Sequence, residues 1–230
     1  MKIKLLVVAT VIVMAGSATA QSAFQGFYGQ IATGYEGNQF TNTTTPYTFE
    51  FTGFSGSGVL NETNQNANGM PLVVGIGYNF SINNSWLLGI GADYSFITQE
   101  TGTFTLTDQS GGWFRNNIKV ENRFNIFVTP SYVVDKDKLV YFKAGYSGQT
   151  LKSSFSAQGS NSANQTGYVL GLGYKQIISG GFYGFAEGNY MNYGKANLSN
   201  SWSESGVSVN ANPSVGASAY TLLVGVGYRF

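Results

Sequence analysis

The chain has 230 residues, with 12 basic against 11 acidic side chains, no cysteine and no histidine. This near-neutral balance argues against nucleic acid as a partner, and the lack of cysteine excludes disulfides and a lipid-modified amino terminus. Charged residues make up only 10%, below the about one quarter usual in soluble domains, while 31 glycines and 15% aromatics are both high.

Residues 1–20 have the three parts of a secretory signal. Lys2 and Lys4 supply the positive start, Leu5 to Ala15 are apolar but too short to span a bilayer, and Ala18-Thr19-Ala20 gives a small-x-small pattern that places cleavage after Ala20. The mature domain is then 21–230, and losing Lys2 and Lys4 leaves ten basic against eleven acidic residues. No later segment carries an apolar run long enough for a membrane helix. A chain can still cross a bilayer by closing its backbone hydrogen bonds as a barrel.

Eight strands are expected from alternation, since successive side chains point to opposite faces. In the first, less regular strand, Phe27, Ile31 and Tyr35 oppose Tyr28, Gln30, Gly34 and Glu36. Leu72, Val74, Ile76, Tyr78 and Phe80 then alternate with Val73, Gly75, Gly77 and Asn79. Trp86, Leu88, Ile90, Ala92, Tyr94 and Phe96 alternate with Leu87, Gly89, Gly91, Asp93 and Ser95. Val120, Phe124, Ile126, Val128 and Tyr132 alternate with Lys119, Glu121, Arg123, Asn125 and Thr129. Val140, Phe142, Ala144 and Tyr146 oppose Tyr141, Lys143, Gly145 and Ser147, and Tyr168, Leu170, Leu172 and Tyr174 oppose Val169, Gly171, Gly173 and Lys175. A less regular seventh strand sets Phe182, Ala186 and Tyr190 against Tyr183, Glu187 and Asn189. The last sets Tyr220, Leu222, Val224, Val226, Tyr228 and Phe230 against Thr221, Leu223, Gly225, Gly227 and Arg229.

One face of every strand is apolar with aromatic ends, and the other carries glycine, polar groups and nearly all the charge. A periplasmic lipocalin-like barrel or β-sandwich would do the reverse, burying its apolar face and showing charge outside. Short links near 81–85, 134–138 and 179–181 alternate with longer ones at 37–69, 107–112, 156–163 and 196–217. The expected fold is all-β: an eight-stranded antiparallel, up-and-down transmembrane β-barrel with short periplasmic turns and longer exterior loops. Those loops, rich in Asn, Ser, Thr and Gly, read as solvated and mobile. Asp93, Glu121, Arg123, Lys143, Lys175, Glu187 and Arg229 then form an expected interior charge network that fills the lumen.

Other motifs have plainer readings. The Gly-x-Gly pairs lack the third glycine and following helix of a dinucleotide loop. Asp135-Lys136-Asp137 falls in a short turn, where Asp serves the backbone, and not a metal. Asp93, Glu121 and Glu187 share their faces with cations, which favours salt bridges over a catalytic carboxylate pair. No catalytic residue, metal site or cofactor is expected.

The signal segment, the repeated Gly-x-Gly-Tyr at 75–78, 171–174 and 225–228 and the terminal Gly-Tyr-Arg-Phe resemble the small bacterial outer-membrane β-barrels of the opacity-protein, OmpX and OmpA transmembrane-domain type. That resemblance implies a bacterial outer-membrane location in contact with lipid and lipopolysaccharide. It also implies that Tyr228 and Phe230 act as the signal read by the barrel-insertion machinery. Enzymes that resemble this size class rely on a histidine base, and this chain has none. The resemblance implies a surface-exposed structural or adhesive protein, acting on a host or environmental ligand through loops 37–69 and 196–217. The alternative is a small porin-like channel for ions or small solutes.

Overall fold

The computed structural model describes residues 22–41, 44–61, 65–107, 113–155, 159–204 and 206–230. The expected signal segment and its cleavage site after Ala20 lie outside the described residues. Fifteen strands follow in order: β1 (Gly26–Thr41), β2 (Thr44–Phe51), β3 (Phe54–Asn61), β4 (Gln65–Gly69), β5 (Leu72–Ser81), β6 (Trp86–Ser95), β7 (Gln99–Glu100) and β8 (Phe104–Thr107), then β9 (Trp113–Asp135), β10 (Lys138–Phe155), β11 (Gly159–Ser179), β12 (Phe182–Asn197), β13 (Asn200–Glu204), β14 (Val207–Ala211) and β15 (Ser214–Arg229).

Eight of them form the barrel. β1, β5, β6, β9, β10, β11, β12 and β15 each pair antiparallel with the next, and β15 returns to β1 with Tyr28 opposite Arg229. Antiparallel pairing runs around the whole ring, as a bilayer core requires, with register shifts in three of its eight pairings. At one end the links are tight. Asn83 Oδ1 accepts from the amides of Ser85 and Trp86, both at 2.9 Å, and Gly180 takes φ +57° in the link from β11 to β12. Asp135 Oδ1 accepts from the Lys136 amide at 2.8 Å, which holds this exposed carboxyl below the usual carboxylate range. The Phe230 amide donates to Phe27 O at 2.9 Å, so the last strand ends at this same rim.

The outward side chains form a continuous apolar wall. Leu172, Leu222 and Val224 are each more than 60% exposed. Aromatic pairs bound the wall on both sides. Phe27 and Tyr35, Trp86 and Tyr94, Phe124 and Tyr132, Phe182 and Tyr190, and Tyr220 and Tyr228 are each eight residues apart on one strand. Eight steps at about 3.3 Å, tilted about 40°, separate the two belts by roughly 20 Å along the barrel axis, close to the height of the apolar band on outer-membrane barrels. Rings meet across strands within each belt: Phe27–Tyr78 (4.7 Å), Trp86–Tyr132 (5.2 Å) and Phe182–Tyr228 (4.8 Å) at the short-turn end, Tyr35–Tyr220 (5.9 Å) and Phe124–Tyr146 (6.1 Å) at the other.

The lumen is not the nearly empty space that so many inward glycines suggest. Five inward glycines face an inward aromatic ring on the adjacent strand: Gly173 faces Tyr141, Gly77 faces Tyr28, Gly91 faces Phe127, Gly225 faces Phe185 and Gly227 faces Tyr183. The glycines make room for neighbouring rings, and those rings fill the barrel. A Cβ on Gly173 would overlap the Tyr141 ring. Gly173→Val is therefore expected to cost about 1–3 kcal/mol through overpacking, seen as a lower urea midpoint in detergent. An unchanged midpoint would show that the ring is free to move aside.

The exterior loops depart from the expectation of mobile coil. β2 and β3 form a hairpin, β14 pairs with β2, β13 with β14, and β8 with β9, while a single pair, Asn61 with Thr107, joins β3 to β8. Three loops thus interlace into one sheet continuous with β9. The cause lies in their sequence: Tyr47, Phe49 and Phe51 alternate with Thr48 and Glu50, a half-buried strand pattern within a segment whose bulk composition is polar. The strands also run past the expected loop bounds, with β1 continuing to Thr41 and β15 beginning at Ser214.

Candidate functional site: the barrel lumen and the exterior sheet

Inward residues of β10 cross the lumen from the short-turn end to the exterior: Leu139, Tyr141, Lys143, Gly145, Ser147, Gln149, Leu151 and Ser153. Each level is closed by partners from other strands. At the bottom, Leu139 packs with Phe24, Leu87 and Tyr141, with Val133 and Ile177 against them. Asn79 Nδ2 donates to Phe24 O at 2.9 Å and pins the segment before β1 across the opening.

Above it lies Lys175. Its ammonium sits over the rings of Tyr28 (4.2 Å), Tyr183 (5.0 Å), Tyr141 (5.3 Å) and Phe185 (6.0 Å), and donates to Gln30 Oε1 at 3.2 Å. The ring faces offer it cation–π attraction. Among the described residues no carboxylate approaches it within 4.0 Å.

The middle level holds a three-membered ion cluster. Lys143, only 1% exposed, reaches Asp93 Oδ2 at 2.7 Å and Glu187 Oε1 at 3.0 Å. Asn125 Nδ2 donates to Asp93 Oδ1 at 2.6 Å, Asn189 Nδ2 to Glu187 Oε1 at 2.8 Å, and the Tyr141 hydroxyl to Glu187 Oε2 at 2.6 Å. Buried charge persists only when paired and hydrogen-bonded, and these groups meet both conditions.

One level higher, Arg123 donates to Glu36 Oε1 (2.5 Å), Asn38 Oδ1 (2.5 Å) and Gln149 Oε1 (2.6 and 3.1 Å). Gln149 hands on to Gln165, which donates to the carbonyls of Gly194 and Val215. An apolar cluster including Phe40, Ile118, Val120, Leu151, Val169 and Met191 caps the exterior half. Cavities of about 20 and about 10 Å³ lie inside, each room for about one water.

The seven charged residues expected inside therefore separate. Asp93, Lys143 and Glu187 form one cluster, Arg123 a second, and Lys175 stands apart. Arg229 lies at the short-turn rim, half-buried, with Nη1 donating to Gln25 O at 3.4 Å. Glu121 is not brought to Arg123. Between Gly148 and Thr150 of β10, two steps face three on β9, and Asn122 there takes φ 53°. This bulge resets the alternation, so Val120 turns inward with Arg123 and Glu121 is left half-exposed. Asn is among the residues that tolerate positive φ, and its side chain accepts from the Tyr94 hydroxyl at 2.9 Å.

Glu36, Asn38 and Gln149 were missing from the expected network. They continue the inward parity of Gln30 and of Ser147, one to three residues beyond Tyr35 and Tyr146, where the apolar band ends. Tyr228 and Phe230 lie in the outward aromatic belt of the short-turn end, with ring centroids 5.0 Å apart.

A closed ring of antiparallel strands with an apolar, aromatic-belted exterior and a paired-charge interior defines an integral β-barrel of the bacterial outer membrane. No protein-family model and no curated protein sequence matches this chain. Among solved structures it is similar to the outer membrane protease OmpT from Escherichia coli, with TM-score 0.53 and 9% identity, covering 92% of this chain and 99% of that one. It is also similar to the outer membrane protein OprG from Pseudomonas aeruginosa (TM-score 0.49, 12% identity, 90% and 97% covered). A further similar structure is Ail, the attachment invasion locus protein of Yersinia pestis, in complex with the heparin analogue sucrose octasulfate (TM-score 0.41, 17% identity, 89% and 99% covered). At these identities the likeness concerns the fold.

Proposed function

We propose that this is a surface-exposed outer-membrane protein with a sealed lumen, acting by contact through its exterior sheet and not by chemistry or conduction. The observation that carries this reading is the joining of three loops into one sheet above a packed interior. That sheet offers an aromatic row, Tyr47–Phe49 at 6.4 Å and Phe49–Phe54 at 6.1 Å, with Phe54 65% exposed. Exposed apolar patches of this kind mark interaction sites. The absence of histidine supports a non-enzymatic role, since the usual general base is missing. The small size of the lumen cavities favours a plug over a narrow channel.

Replacing residues 44–61 with a short Gly-Ser turn should abolish adhesion of bacteria displaying the protein to epithelial monolayers and polystyrene, while the heat-dependent gel shift of the folded barrel persists. Undiminished adhesion by a folded variant would reject the proposal. Tyr228 and Phe230 are proposed as the recognition signal of the insertion machinery. Phe230→Ala should lower the assembled protein in the outer membrane severalfold without lowering its synthesis, and equal surface levels on immunoblots of membrane fractions would count against that role.

A further inference from the structure

Lys175 and Arg229 are left over from the ion pairs of the lumen, and they line one cavity. Among the described residues, buried acids and bases balance at three each: Glu36, Asp93 and Glu187 against Arg123, Lys143 and Lys175. Yet Lys143 takes two of the acids and Arg123 the third. The ammonium of Lys175 has three donors and one protein acceptor, Gln30 Oε1, which also accepts from the Tyr183 hydroxyl at 3.0 Å. Arg229 Nε is buried with no acceptor among the described residues. Both side chains border the cavity of about 10 Å³ at the short-turn end, together with Phe24, Tyr28, Asn79 and Tyr183. No carboxylate lines it, and the Asn79 amide already donates to Phe24 O.

We propose that this cavity is a binding site for a single small monatomic anion, a chloride ion, held between Lys175 and Arg229. An anion accepts without donating, which suits the spare N–H groups of Lys175 and Arg229 that border the cavity, and its charge offsets a buried ammonium that no carboxylate lining the cavity neutralises. The volume admits one particle of about water size, which excludes phosphate, sulfate and carboxylates. Phe24, itself buried, borders the site beside Arg229 at the rim, where the ion can exchange with solvent.

Crystals of the refolded protein grown in sodium bromide should show an anomalous bromide peak between Lys175 Nζ and Arg229 Nε. In detergent solution, chloride-35 NMR should show saturable line broadening by the wild-type barrel. Arg229→Gln and Lys175→Met should each weaken that binding about tenfold or more, the effect expected from losing a hydrogen bond to a charged partner. The bromide peak needs no variant, so the test survives if either substitution fails to fold. A cavity holding water without anomalous signal, or broadening equal in wild type and both variants, overturns the proposal.

Discussion

Lys143→Met is expected to destabilise the barrel more than any other single substitution in the lumen. It removes the one cation shared by Asp93 and Glu187, at 2.7 and 3.0 Å, and leaves two carboxylates buried without a counter-charge. Breaking a buried pair costs about 3–5 kcal/mol, and here two pairs break together. The methionine keeps most of the stem's contact with Phe127, whose ring lies 4.1 Å from the ammonium, so lost packing contributes little. The urea midpoint in detergent should fall sharply, or the heat-modifiable form should disappear. Adding Asp93→Asn and Glu187→Gln to the same variant should recover much of the loss, because neutral groups tolerate burial with the existing hydrogen bonds. A triple variant no more stable than the single one would show that the cation's charge is not the cause.

The second large effect is expected at Arg123→Leu. Arg123 is 4% exposed and its guanidinium joins β9 to Glu36 and Asn38 of β1 and to Gln149 of β10. Its loss strands the Glu36 carboxylate and two amide oxygens, again about 3–5 kcal/mol for a fully buried pair. The same substitution distinguishes a plug from a pore. In a water-filled lumen the pair would contribute only about 0–1 kcal/mol, as exposed pairs do. A large drop in midpoint supports the packed interior, whereas no drop together with altered ion selectivity would favour the channel reading.

These contacts differ in how much of them could be read from sequence. The lipid-facing wall was legible because alternation and the aromatic ends of the apolar face are local properties of each strand. Which inward residues meet was not, because that depends on register across strands nowhere adjacent in sequence. Glu36 and Arg123 are 87 positions apart. The same holds for the glycines, whose purpose appears only once Gly173 is seen opposite Tyr141. Glu121 was misplaced because one bulged residue, Asn122, inverts the parity of the residues before it relative to those after it on that strand. The exterior strands were hidden by composition: Ser, Thr, Asn and Gly suggest coil, although the Tyr47–Phe51 alternation carries a strand signal of its own.

Conductance of the purified protein in planar lipid bilayers tests the central claim most directly, since a sealed lumen and a narrow pore share every other feature of the wall. With Lys143 and Arg123 paired across the interior and Phe24 and Leu151 closing its two ends, the wild-type barrel should insert without stepwise current at moderate voltage. Discrete, reproducible openings from wild-type protein, abolished by mutation of lumen residues, would contradict the account.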